Sequence, residues 1–287
     1  MSDLIGNFLG LPPRYSQPQT ARYAVLPVPF EGTVTYKGGT SAGPLAILEA
    51  SAQVELFDEE LRGEFHTAGV ATYPLIQPAP GVEEQLSRVK AAALPILRAG
   101  RFLLTLGGEH SITSALVEAA AETCGQISVL QIDAHADLRD SYEGTRHSHA
   151  CVMRRVLETT DHLCQVGIRS FSLEEQQACP RQVRNFITPA DAGSDDRWIS
   201  KALKLLGEKV YITVDIDGFD PAIAPGTGTP EPGGLSWQQG TRLLRRVCAE
   251  RQVVAADIVE VRPIPPSHVT EFLAARLGYK IIAYTQA

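Results

Sequence analysis

The chain has 287 residues, 44% of them apolar and 21% charged, an ordinary balance for a globular protein and enough chain for one large α/β domain or two small ones. Its 26 basic and 33 acidic residues leave a formal charge of −7, which argues against a nucleic-acid partner, because phosphate binding needs a clustered basic surface. No apolar run reaches the roughly 18 residues of a membrane span, and Met1-Ser2-Asp3-Leu4-Ile5-Gly6 lacks the basic-then-apolar pattern of a secretory signal, so a cytoplasmic protein without a membrane partner is expected.

Residues 1–20 are rich in Pro, Gly and Gln and predict an irregular arm, with 21–287 forming one domain. Arg22 to Val28 reads as the first strand. Tyr36-Lys37-Gly38-Gly39-Thr40-Ser41-Ala42-Gly43-Pro44 is a glycine-rich loop before an apolar helix, Leu45 to Val54, with Pro44 suited to a first helical turn. The loop matches neither G-x-G-x-x-G nor a Walker pattern, so a structural turn is preferred to a phosphate cradle. Glu83 to Arg98 predicts an amphipathic helix ending at Ala99-Gly100. The apolar run Phe102 to Leu106 enters Gly107-Gly108-Glu109-His110-Ser111, and a helix over Ser111 to Glu122 closes at Cys124-Gly125. Ile127 to Ile132 runs into Asp133-Ala134-His135-Ala136-Asp137.

Leu173 to Ala178 and Asp196 to Leu206 read as helices, separated by a loop containing Pro180 and Pro189. Val210 to Val214 then runs into Asp215-Ile216-Asp217-Gly218-Phe219-Asp220-Pro221. Trp237 to Arg251 predicts a helix, and Gln252 to Val261 a strand carrying Glu260 and followed by Arg262-Pro263. Ser267 to Leu277 reads as the last helix, before an apolar tail at Ile281-Ile282-Ala283-Tyr284. Strand and helix alternate without a repeat or linker, which predicts a single three-layer α/β/α domain with a mostly parallel central sheet. The five cysteines are odd in number and form no C-x-x-C pair, so free thiols in a reducing cytosol are expected.

Three of the apolar runs end in histidines and carboxylates. In open α/β sheets the functional crevice lies outside the carboxyl ends of the strands. Asp133, His135 and Asp137 stand at alternate positions, so an extended backbone would point them the same way, and Asp215 with Asp217 repeats the device. With His110 this makes four carboxylates and two imidazoles. Two divalent cations about 3.5–4 Å apart would neutralise them. Oxygen ligands with two imidazoles suit manganese, with cobalt, nickel and zinc also compatible. Each motif taken alone is compatible with a turn or a cap; three together at strand ends point to a metallohydrolase.

These residues carry a family resemblance. The G-G-[DE]-H-S block ending at Ser111, the D-A-H-x-D block from Asp133 to Asp137 and the D-I-D-x-x-D-P block from Asp215 to Pro221 all resemble those of the ureohydrolases, the arginase and agmatinase family. The match continues through Ala224 to Gly234. The resemblance implies a binuclear manganese centre whose bridging hydroxide attacks a guanidinium carbon and releases urea. It implies that His110 and Asp137 bind one metal, that His135 and Asp217 bind the other, and that Asp133 and Asp215 bridge. His149, in Ser148-His149-Ala150, matches the histidine that shuttles a proton to the leaving amine, with His147 a positional rival. Glu260 matches the carboxylate that holds the guanidinium.

The chemistry is coherent on its own terms. A resonance-stabilised guanidinium is a weak electrophile that needs a strong nucleophile, a carboxylate to orient its planar fork and a proton for the leaving amine. No acid follows Gly167-Ile168-Arg169 and no Asn-rich segment precedes His149, so the chain is closer to agmatinases than to arginases. A small cationic guanidino substrate follows, agmatine first, with acidic groups expected along its amine tail. Arg262 facing the cleft would instead favour guanidinobutyrate, and aminopropylagmatine and arginine stay open as substrates. A zinc-dependent deacetylase needs a paired histidine that is missing here, and a non-catalytic metal-binding protein would not be expected to keep His149 and Glu260. The resemblance also implies a homo-oligomer, a trimer or hexamer.

Overall fold

The computed structural model describes residues 6–193 and 195–287. In chain order the elements are β1 (Tyr23–Val28), α1 (Gly43–Ser51), a two-stranded ribbon of β2 (Phe57–Asp58) and β3 (Gly63–Glu64), β4 (Val70–Thr72), α2 (Val82–Arg98), β5 (Phe102–Gly107), α3 (Thr113–Cys124) and β6 (Ser128–Ile132). Then follow α4 (Val152–Thr159), β7 (Leu163–Val166), α5 (Leu173–Ala178), α6 (Pro180–Asn185), α7 (Arg197–Leu205), β8 (Lys209–Asp215), α8 (Trp237–Glu250), β9 (Gln252–Val259) and α9 (Val269–Tyr284). Seven strands form one parallel sheet in the order β4-β1-β5-β9-β8-β6-β7.

Because successive strand residues face opposite sides, each strand divides its apolar side chains between two layers. Val25, Leu104, Leu130 and Ile212 join Ile47 of α1, Ile199 of α7, Leu244 of α8 and Ile281 of α9. Their strand neighbours Leu26, Leu103, Val129 and Tyr211 join Val89 of α2, Leu116 of α3 and Val156 of α4. That two-sided burial is why the strands read as continuous apolar runs, and it gives the expected three-layer α/β/α architecture.

The register sets the level of the functional edge. Leu106 pairs with Ile258, Ile258 with Val214, and Val214 with Ile132, so one buried row crosses β5, β9, β8 and β6. The residues after that row start from a common height, on four adjacent strands.

Several segments differ from the sequence expectation. Of the arm, residues 1–5 lie outside the described residues. Its start is packed down, with Phe8, Leu9 and Leu11 buried and the Leu9 N–H donating to Ser51 Oγ of α1 at 2.8 Å, while most of residues 12–20 are exposed. The apolar tail continues α9 to Tyr284. Gly278 and Lys280 interrupt the apolar pattern there, and both have packing reasons. A side chain at Gly278 would meet the Phe8 ring at 3.1 Å. Lys280, 1% exposed, places its ammonium 2.9 Å from Asp58, 3.1 Å from Glu59 and 3.1 Å from Glu60, which pins the β2–β3 ribbon to α9. Removing one member of a buried ion pair strands its partner, so Lys280→Met is expected to destabilise the fold by about 3–5 kcal/mol in denaturant unfolding.

Candidate active site

Beyond Ile132 the backbone leaves the sheet. Asp133 Oδ1 accepts the N–H of His135 at 2.6 Å, which turns the chain, and Asp137 has a left-handed φ of +54°. The extended run expected over Asp133 to Asp137 is therefore interrupted: it bends at Ala134, pairs with Ser170 in a parallel bridge at His135 and turns left-handed at Asp137. Ligating atoms of His110, Asp133 and Asp137 lie within 4.8 Å of one another, and so do those of Asp133, His135 and Asp217. Asp133 belongs to both groups. Asp215 reaches the first group, with Oδ2 3.5 Å from His110 Nδ1.

Asp133, Asp215, Asp217 and His110 are held from behind. Gln131 donates to Asp133 Oδ2 at 2.6 Å and is itself held by Gln165 at 2.6 Å. Asp217 Oδ1 accepts the Ala134 N–H at 3.0 Å, while Asp215 Oδ1 accepts the Asp217 N–H at 3.0 Å. Arg169 ties the Asp217 turn to the following loop by donating to the carbonyls of Asp217 at 2.7 Å and Glu231 at 2.6 Å. His110 Nε2 lies 2.9 Å from Thr213 Oγ1, whose proton goes to Asp257 Oδ1 at 2.6 Å. Thr213 can then only accept from His110, so Nε2 carries the hydrogen and Nδ1 presents a lone pair. Tyr211 and Thr113 complete the pairing of buried Asp257, at 2.6 and 2.9 Å.

His110 Nδ1 is buried without a hydrogen-bond partner, yet carboxylate oxygens of Asp133, Asp137 and Asp215 stand 3.1, 3.2 and 3.5 Å away. A lone pair facing three anions is repulsive unless a cation sits among them, so these residues fit divalent metal. The titration behaviour is that of an unneutralised cluster. Burial and then the charge of Asp133 push Asp137 up to about 7, and burial with Asp217 and Asp133 raises Asp215 well above the usual carboxylate value. Against burial, the neighbouring imidazoles of His110 and His135 hold Asp133 low. Both histidines are raised by the surrounding acids, also against burial.

The cleft above this cluster is lined by Val34 to Lys37, Arg139, Tyr142, His149, Gly228, Thr229 and Glu260. His149 Nδ1 lies 3.1 Å from Thr33 Oγ1, and burial lowers its pKa against the opposing charge of Glu109. His147 lines a different cavity with Lys90 and Arg155, so it is not in this cleft. Glu260 has φ +60° and accepts the His110 N–H at 2.7 Å. Burial, followed by the charge of Glu109, pushes its carboxyl up to about 8.

Arg262 is not among the residues lining the cleft. Its Nε donates to the Gly38 carbonyl at 2.7 Å. The glycine-rich loop is also closed to phosphate: Glu31 already accepts the N–H groups of Gly39 and Ser41, each at 2.9 Å. Beside the acidic Asp137, Asp215 and Glu260, the cleft lining holds two basic residues. Its mouth carries Lys37 and Arg139, each about 5.1 Å from the ring of its neighbour, Tyr36 or Tyr142. All five cysteines are free, and none lines the cleft.

The Arginase family model matches residues 21–283. The chain belongs to the arginase family. It is 39% identical over 272 residues to the N(1)-aminopropylagmatine ureohydrolase of Synechocystis sp., covering 92% of this chain and 89% of that protein. To the agmatinase of Pyrococcus horikoshii it is 32% identical, covering 91% of each. Among solved structures, the agmatine ureohydrolase of Thermoplasma volcanium superposes with a TM-score of 0.87 at 32% identity, over 96% of this chain and 93% of that one. This arginase-family chain is thus a ureohydrolase of guanidino compounds, of the agmatinase type.

The side chains that hold the cluster from behind were missed in the sequence. Asp257, Thr213 and Gln131 are polar groups inside otherwise apolar strand runs, and each is fully buried. That placement is itself a signal, since buried polar groups must find partners.

Proposed function

We propose that this ureohydrolase releases urea from a linear aminoalkyl guanidine, N(1)-aminopropylagmatine or agmatine, with a pair of manganese ions. The observation that carries the metal reading is Asp133, common to both ligand groups. In this reading His110 and Asp137 would hold one ion, His135 and Asp217 would hold the other, and Asp133 and Asp215 would serve as ligands shared by both. Such ions, when bound, supply Lewis acidity that lowers the pKa of water toward neutrality. Glu260 orients the guanidinium fork through paired charge-assisted hydrogen bonds. The positive charge of the guanidinium favours the ionised carboxylate of Glu260, although its pKa is raised to about 8. His149 donates a proton to the departing amine.

The long-chain preference rests on the relatives, of which N(1)-aminopropylagmatine ureohydrolases range from 34% to 39% identity. Tyr36 and Tyr142 offer apolar ring surface to an alkyl chain at the mouth. A second reading has its own observation: Lys37 and Arg139 at that mouth favour an anionic tail such as that of guanidinobutyrate.

Urea release by the manganese-loaded enzyme separates the two. N(1)-aminopropylagmatine and agmatine should each exceed arginine by at least about tenfold in kcat/KM, a difference of about 1.4 kcal/mol. Guanidinobutyrate leading would establish the second reading, and arginine equal to agmatine would refute the aminoalkyl preference.

A further inference from the structure

Glu109 is fully buried beside the cleft and has every acceptor position filled. Its Oε2 accepts the N–H groups of Gly32 at 2.5 Å and Thr33 at 2.6 Å, and its Oε1 accepts the hydroxyls of Thr33, at 2.9 Å, and Ser111. Four donors on two oxygens describe a carboxylate with no proton of its own. The Thr33 hydroxyl has one hydrogen, and Glu109 takes it. Thr33 Oγ1 must therefore accept from its other neighbours, the N–H of His149 at 3.1 Å and His149 Nδ1 at 3.1 Å.

From this geometry we infer that Thr33 and Glu109 are positioning residues that keep the hydrogen of neutral His149 on Nδ1, leaving Nε2 as the nitrogen that exchanges protons with the reacting groups. The inference rests on the proton-donor reading of His149. Ser148 Oγ lies 3.4 Å from Nδ1 and is the competing partner. If Ser148 donated there, the lone pairs of Nδ1 and Thr33 Oγ1 would face each other at 3.1 Å, a repulsive contact. The same device acts behind the metal cluster, where Thr213 passes its hydrogen to Asp257 and so receives one from His110. In one pair the carboxylate and threonine expose Nδ1 of a histidine, and in the other they expose Nε2.

Holding an imidazole in the correct tautomer affects turnover more than binding. In the manganese-loaded enzyme, Thr33→Val removes the hydroxyl at nearly constant volume. Its kcat should fall at least about tenfold, with KM and metal content near those of the parent and a lowered melting temperature, because buried Glu109 loses one donor. Thr33→Ser should keep most of the parental kcat. Added to a His149→Asn background, Thr33→Val should cost nothing further, because both act through one ring.

Thr33→Val at parental kcat, Thr33→Ser as slow as Thr33→Val, or an additive loss in the double variant would each overturn the inference. If His149→Asn itself ran at the parental rate, the proton-donor reading would fall instead, so the two failures are separable. Glu109→Gln places an amide against four donors and risks misfolding; the Thr33 variants decide the question without it.

Discussion

Asp133→Asn is expected to lose both metal ions and at least about a thousandfold in kcat/KM, the scale of removing one electrostatic interaction of about 4 kcal/mol from a preorganised site. The size of the effect follows from position. Asp133 lies 3.1 Å from His110 Nδ1 on one side and 3.6 Å from His135 Nδ1 on the other, and it is common to both ligand groups. An amide of the same shape keeps the turn but removes the charge that both cations would share, and it turns an N–H₂ toward the His135 N–H or toward Gln131. Metal analysis after manganese loading should approach two ions per chain for the parent and fall below one for the variant. A parental stoichiometry that saturates at one, or an Asn variant that retains two, would contradict the shared role. Gln131→Leu, which removes only the donor behind Asp133, should weaken metal binding by about 10–100-fold and so rank between them.

His149→Asn is expected to behave in the opposite way, keeping its metal and losing about 10²–10⁴-fold in kcat, the range for positioned proton transfer. His149 lies in the cleft lining and outside both ligand groups, so its removal leaves the cluster intact. Burial lowers its pKa below the usual histidine value, which makes its imidazolium a stronger acid toward a departing amine near neutral pH. Imidazole added to the variant should restore part of the rate without changing metal content. Full activity at neutral pH without it would transfer the proton to solvent, since His147 lines another cavity.

The sequence made the strand ends legible because parallel strands buried on both faces appear as uninterrupted apolar runs, and the residues that break such a run at its carboxyl end fall at the crevice. His110, Asp133 and Asp215 stand out in that way, Glu260 only through its match to the family, and β5, β9, β8 and β6 are adjacent. What stayed hidden depended on pairing across large separations. Thr33 and His149 are 116 residues apart, and Thr113 and Asp257 are 144 apart. No local pattern marks either pair. Arg262, weighed as a substrate contact, is engaged by Gly38 from 224 residues away. Lys280 was obscured for a different reason: a charge inside an apolar stretch looks like the end of a helix until its buried partner Asp58 is known.

Asp137 and Glu260 have left-handed backbone conformations, with φ of +54° and +60°, which cost a residue with a Cβ about 1–2 kcal/mol each. Glycine would adopt either without that penalty. It would also remove a carboxyl group that its surroundings push up to about 7 at the first position and about 8 at the second. Selection for thermal tolerance of the metal-free chain alone would therefore drift toward erasing both side chains. Sequences optimised for robustness, by consensus averaging or by directed evolution without a turnover screen, would need these two positions locked from the outset.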